Sequence, residues 1–197
     1  MPTTPNPSPG SPVLHGNEAP SAWVRRWTHL IPAGGTVLDV ACGQGRHLRW
    51  LAGRGHPVTG LDRSPEAIAA VAPLGRAVLA DIENGPWPLD GETFDAVVVT
   101  NYLWRPLLPL IVATVAPGGV LLYETFASGH ETVGRPARPD FLLQPGELLQ
   151  ACSGLRVVAF EDGFCSAPER FVQRIAAVRE TGPSGATPVR HLLDITG

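Results

Sequence analysis

The sequence predicts one α/β domain, a doubly wound sheet of seven strands, mostly parallel with one antiparallel strand, carrying helices on both faces. Three observations carry this expectation. Between residues 20 and 180, short β-branched runs alternate with segments of helical period. A glycine-broken turn, Cys42 to Gly45, follows the first of these runs directly and opens into a helix. The last two runs are joined by a loop too short for a helical crossover, so they pair antiparallel.

Each element has a local reason. Residues 1–16 read as a flexible, proline-rich arm, because five prolines and no charge in the first twelve residues neither pair in a sheet nor bury apolar area. The domain proper spans 17–180, with a loose tail over 181–197. From Pro20, the residues Trp23, Val24, Trp27, Leu30 and Ile31 fall on one helical face, ended by Pro32 and Gly34. That face packs in the core at the sheet edge or lids a ligand. Residues 36–41 form the first strand, 46–52 a helix and 56–61 the second strand. Ser64, Pro65 and Glu66 supply an N-cap, a first-turn proline and an early acid for a helix to residue 72. Residues 77–80 are a short strand, 83–92 are turn-rich, and the β-branched run 94–100 is a strand buried on both faces at the sheet centre. A helix over 107–115 and the Pro117-Gly118-Gly119 turn lead to a fifth strand, 120–125. Residues 126–144 show little periodicity and form a candidate substrate loop. A short helix over 145–151 precedes strands at 155–161 and 171–179.

Composition narrows the chemistry. The 197 residues are 44% hydrophobic and 17% charged, the balance of one globular domain. A formal net charge of −3 without a basic run argues against nucleic acid or an anionic bilayer as partner. All 15 basic residues are arginine, which excludes Schiff-base chemistry and a P-loop lysine. Three cysteines without CxxC spacing, Cys42, Cys152 and Cys165, indicate neither a disulfide framework nor a zinc ribbon and fit a reducing cytoplasm. The histidines show no metal-ligand spacing, so no metal is expected.

The informative stretch runs Asp39-Val-Ala41-Cys-Gly43-Gln-Gly45-Arg46, between the first strand and its helix. Ligands of open α/β sheets bind beyond the carboxyl ends of the strands near the switch point, where glycines let backbone approach them. About twenty residues on, Asp62 ends the second strand, where a carboxylate accepts hydrogen bonds from ribose hydroxyls. Together they imply an adenosine-type ligand. A pyrophosphate is disfavoured, because Leu48 stands where a dinucleotide fingerprint has its third glycine and because Asp39 would repel it.

Over residues 20–180 the sequence resembles the class I methyltransferases that use S-adenosylmethionine (SAM), with their Rossmann-like sheet. VLDVACGQG is similar to their first motif, and Phe94-Asp95-Ala-Val-Val and Ala116-Pro-Gly-Gly119 are similar to their fourth strand and the turn before the fifth. LAGRGH and LDRSPEAI look most like the tellurite-resistance-type and related small methyltransferases. The resemblance puts Asp39, Ala41, Gly43 and Gly45 around the methionine part of SAM, Asp62 on its ribose, and Asp81 and Ile82 beside adenine. It adds Arg63 and Asn101 to the cofactor contacts. Arg46 meets the SAM carboxylate or faces solvent.

The acceptor pocket is expected beyond the fourth and fifth strands. Asn101-Tyr102-Leu-Trp104-Arg105 departs from the Asn/Asp-Pro-Pro-Tyr motif of amino-methylating relatives, which puts nucleobase and glutamine-amide methylation in doubt. Tyr102 and Trp104 offer π-faces to a cation or pack under the next helix. Arg105 binds an anionic substrate or stays solvated, and Glu124 is the best candidate base or anchor, with a salt bridge as its other reading. His130 is a weaker candidate base, and Arg135 and Arg138 would cover an anionic acceptor as the loop orders. Cys42 is read as a small residue facing the first helix of the unit. The expected function is methyl transfer from SAM, leaving S-adenosylhomocysteine (SAH), to a small molecule, an anion among the candidates, by a cytoplasmic monomer or homodimer. The alternatives are a SAM-binding module without transfer activity and, less favoured without Tyr-x-x-x-Lys or any lysine, a nicotinamide-dependent reductase.

Overall fold

The computed structural model describes residues 19–182 and 189–193; the arm over 1–16 lies outside them. Seven strands form one sheet in the order β3-β2-β1-β4-β5-β7-β6. They are β1 (Val37–Val40), β2 (Val58–Asp62), β3 (Arg76–Leu79), β4 (Phe94–Thr100), β5 (Val115–Phe126), β6 (Arg156–Ser166) and β7 (Glu169–Val178). The first five run parallel, and β7 runs antiparallel to both β5 and β6. The sheet is therefore doubly wound with one reversed strand. β4, with Ala96 to Val99 fully buried, is its centre.

Helices α1 (Ala22–Trp27), α2 (Arg46–Ala52) and α3 (Pro65–Val71) cover one face, and α4 (Leu108–Ala113) and α5 (Glu147–Ala151) the other. Alternation along the strands assigns each side chain to a layer. Val37, Val98, Val120 and Leu122 pack against Trp23, Val24, Leu48 and Leu51, whereas Leu38, Val97, Leu121 and Tyr123 pack under Ile111 and Leu148. Trp23 and Trp27 are buried core residues in edge-to-face contact, with ring centroids 5.7 Å apart, and the Trp23 indole donates to the Ile175 carbonyl at 3.1 Å. α1 is shorter than the periodicity predicts, because its last turn tightens into a 3-10 turn at Thr28–Leu30. β5 starts earlier than predicted: it runs through the Pro117-Gly118-Gly119 turn, where the pairing register to β4 shifts. The closing hairpin is also longer, because β6 and β7 extend beyond the parallel sheet to a turn at residues 167 and 168. No helix among the described residues is long and apolar enough to cross a membrane.

Candidate functional site

β2 and β3 lie on one side of β1, and β4 and β5 on the other, so the switch point falls between the carboxyl ends of β1 and β4. Two non-glycine residues there hold left-handed backbone, Ala41 after β1 (φ 54°) and Asn101 after β4 (φ 55°). Such conformations persist only where surrounding structure enforces them, and they concentrate at functional sites. The turn after β1 continues through Gly43 (φ 52°) and Gly45 (φ 75°) into α2. Only glycine fits at Gly45, because a Cβ there would sit 2.5 Å from Cγ1 of Val71. At Gly43 nothing lies within 4 Å of such an atom, and its backbone N–H donates to Oδ2 of Asp62 at 2.8 Å. Oδ1 of Asp62 accepts the Ser64 N–H at 2.9 Å, so the carboxylate ties the end of β2 to the turn after β1.

A cavity of about 200 Å³ opens beside this turn, with apolar walls from Ala41, Leu61, Ala80 and Ile82 and with Asp62, Arg63, Asp81, Glu83 and Tyr102 around them. Five of the residues predicted for the cofactor thus meet on one surface. Asp81 spends its oxygens on the following turn, accepting from the Asn84 side chain at 2.9 Å and from the Glu83 N–H at 3.1 Å. The Asn84 amide foremost holds its carboxyl below the usual range. A second cavity of about 270 Å³ lies beyond β4 and β5, where the acceptor pocket was expected, formed by Asn101, Leu103, Thr125 and Phe126 with Pro136 and Phe141 of the long loop. Glu83 and Tyr102 line both cavities. Burial first, and then the Glu83 carboxylate, push the Tyr102 phenol well above its ordinary range, so it is a neutral donor at neutral pH.

Several expectations need correction. Asp39 does not reach the first cavity: it is 1% exposed, behind the turn, with its carboxylate 3.5 Å from Nδ1 of His47. Arg46, at the start of α2, lines neither cavity, and Asn101 faces the second cavity rather than the first. Glu124 shares a strand face with Leu122, under α1, and does not line the second cavity. It is 1% exposed, with Arg174 Nε at 2.9 Å, Arg170 Nη1 at 3.7 Å and the Ser21 hydroxyl donating at 3.0 Å. This is the salt-bridge reading of Glu124. Trp104 and Tyr102 are each half-buried against the core cluster that holds Leu108 and Ile111 of α4. His130 is buried, stacked on Phe126 at 4.3 Å with its Nε2 on the Arg135 carbonyl, and lines neither cavity. The Cys42 thiol is pushed up by burial and then by Asp39 and Asp62, so it is inert.

Arg105 is also spoken for. Its guanidinium forms a two-point pair with Glu147, at 2.7 and 3.0 Å, and donates at 2.8 Å to the carbonyls of Asp140 and Leu142. It therefore holds the long loop onto the end of β4. Arg105→Ala should lower the melting temperature by roughly 3–12 °C, from the loss of about 1.5–3 kcal/mol of charge-assisted bonding. Limited proteolysis should then cut within residues 127–146, and a cleavage pattern like that of the parent would refute the tethering role.

Sequence reasoning missed Glu83, Phe126 and Phe141. The signal for Glu83 was its place two residues after Asp81 at the end of a strand. Phe141 becomes a wall only because the loop folds back, with Ala127 bridging Leu143.

Comparison with known proteins agrees with this geometry. Residues 37–119 match the methyltransferase domain family. The chain is 28% identical over 139 residues to hemagglutinin 1 of Eikenella corrodens, covering 64% of this chain and 45% of that protein. It is 29% identical over 139 residues to a tRNA U34 carboxymethyltransferase of Pseudoalteromonas translucida, covering 57% of this chain and 40% of that protein. It thus spans less than half the length of either relative. Among solved structures, a TehB-like SAM-dependent methyltransferase from Corynebacterium glutamicum superposes with a TM-score of 0.59 at 23% identity, covering 80% of this chain and 87% of that one. The match over residues 37–119, the strand order and the superposition agree on the fold, which is that of SAM-dependent methyltransferases.

Proposed function

We propose that this chain transfers a methyl group from SAM to a small-molecule acceptor. The observation that carries the reading is the junction of two cavities at Glu83 and Tyr102, one beside the turn after β1 and the other beyond β4 and β5. The first has the makeup an adenosyl group needs: apolar walls at Ala41, Leu61, Ala80 and Ile82, and a carboxylate at the end of β2. Asp62 would accept from the ribose hydroxyls, Ile82 would lie against the adenine, and Arg63 and Asp81 would border it. Open space at Gly43 would let the ligand approach the backbone closely. SAM, when bound, supplies an electrophilic methyl group on a sulfonium.

The chain's own residues then hold the acceptor and exclude water. Fixing two reactants in line supplies about 7–11 kcal/mol of the barrier through effective molarity, so little covalent help is required. Phe126, Phe141 and Tyr102 enclose the acceptor side, and Arg105 keeps the loop closed over it.

The test incubates the protein with methyl-labelled SAM and a cell extract, then fractionates the label, with SAH binding measured separately. Label in the small-molecule fraction is the expected result. Label in RNA or protein would overturn the acceptor class. SAH binding without transfer to any fraction would leave a SAM-binding module.

A further inference from the structure

Resting on the reading of the second cavity as the acceptor site, we propose that the acceptor is an amine and that Glu83 selects for it. Among the described residues Glu83 is the charged group on that cavity's lining; Asn101 and Thr125 are neutral, and Tyr102, Phe126 and Phe141 are aromatic. A carboxylate among aromatic faces attracts an ammonium group through both its charge and the ring quadrupoles. An acidic acceptor would meet the opposite field. Of the arginines expected to receive it, Arg105 is engaged on Glu147 and two carbonyls, Arg138 is engaged on Asp140 at 2.7 Å, and Arg135 is exposed and does not line the cavity. Asp62 and Asp81 add to the negative field at the junction, against the 67%-exposed guanidinium of Arg63, which lies 3.7 Å from Glu83.

The chemistry balances with a sulfonium methyl donor. The acceptor reacts as the free amine, its ammonium proton having passed to water. The nitrogen lone pair forms the bond to the methyl carbon, and the carbon–sulfur bond breaks with its electron pair on sulfur, leaving a neutral thioether. Positive charge therefore moves from sulfur to nitrogen, and the Glu83 carboxylate stabilises it as it arrives, which favours the transition state over the ground state.

The experiment titrates the protein, with and without SAH, against aryl and alkyl amines, each matched to a carboxylate of similar skeleton. 2-Phenylethylamine and 3-phenylpropionate form one such pair. Amines should bind at least about tenfold more tightly than their matched acids, which is a modest requirement for one ion pair plus ring contacts. Glu83→Gln, with its melting curve checked, should erase that preference, and Glu83→Asp should keep part of it. Equal binding of both classes, preference for the acids, no binder in the panel, or a preference unchanged in Glu83→Gln would each overturn the proposal. Failure of SAH to bind while amines still do would instead defeat the methyl-transfer reading and leave an amine site.

Discussion

Asp62→Ala should weaken SAH binding by about 100-fold or more while the chain stays folded. A carboxylate has roughly four acceptor positions on its two oxygens, and in this protein one position on each oxygen is taken by a backbone N–H, from Gly43 and from Ser64. The remaining positions are those a ribose diol would fill. A hydrogen bond to a charged group contributes about 1.5–3 kcal/mol, so losing two costs about 3 kcal/mol at the low end, or two decades of affinity. The turn also loses its anchor, because the Gly43 N–H no longer has a fixed acceptor, and a loosened turn must be ordered again when ligand binds. Calorimetric titration of parent and variant with SAH, beside their melting curves, measures this directly. An affinity within threefold of the parent would place the adenosyl ligand elsewhere.

The second large effect is on stability. Glu124→Ala should lower the unfolding free energy by about 3–5 kcal/mol, the usual cost of removing one partner from a buried ion pair. For a domain of this size that is a fall in melting temperature of roughly 6–20 °C. The reason lies in what stays behind: Arg170, 24% exposed, would lose its carboxylate, Arg174, only 14% exposed, would lose its closer carboxylate and keep the longer contact to the half-exposed Glu161 at 3.5 Å, and the Ser21 hydroxyl would lose its acceptor. Ser21 also caps α1, its hydroxyl accepting from the Trp23 N–H at 3.1 Å, and its own N–H reaches Nε2 of His47 at 3.2 Å. That bond makes Nε2 the acceptor, so a neutral His47 carries its proton on Nδ1, toward Asp39. Helix α1, the core of the sheet and α2 are thus joined by one buried polar chain. A variant that melts within 2 °C of the parent but has lost methyl transfer would restore Glu124 to the reacting groups.

Much of this was legible locally. Ala41 of the turn after β1, Asp62 and the Asp81-Ile82 pair come together at one cavity because each follows or ends a strand of the same parallel sheet, and strand ends are set by short-range pattern and turn chemistry, whereas Gly43 and Gly45 do not line it. The two cavities' common wall was half legible, since Tyr102 was singled out and Glu83 was not. The loop over 126–144 is recognisable by its length and lack of period, but its inner surface is not. Phe141 and Pro136 face the cavity only after Arg105 and the Ala127–Leu143 bridge fold residues 126–144 back onto β4.

The sequence by itself determined the fold class, the switch point and five residues of the first cavity, because hydrophobic period, caps and glycine conformation act over a few residues. Only the tertiary structure decided which charges line a cavity and which are buried in ion pairs. In a parallel sheet both faces are buried, so alternation along β5 says that Tyr123 and Glu124 point to opposite sides without saying which side holds a partner. The partners of Glu124 lie 103 residues away at Ser21 and on β7, and that of Arg105 lies 42 residues away at Glu147. A charge's role depends on what long-range packing brings within a few ångströms of it, because burial and neighbouring charge, not residue type, set whether it is free to meet a ligand.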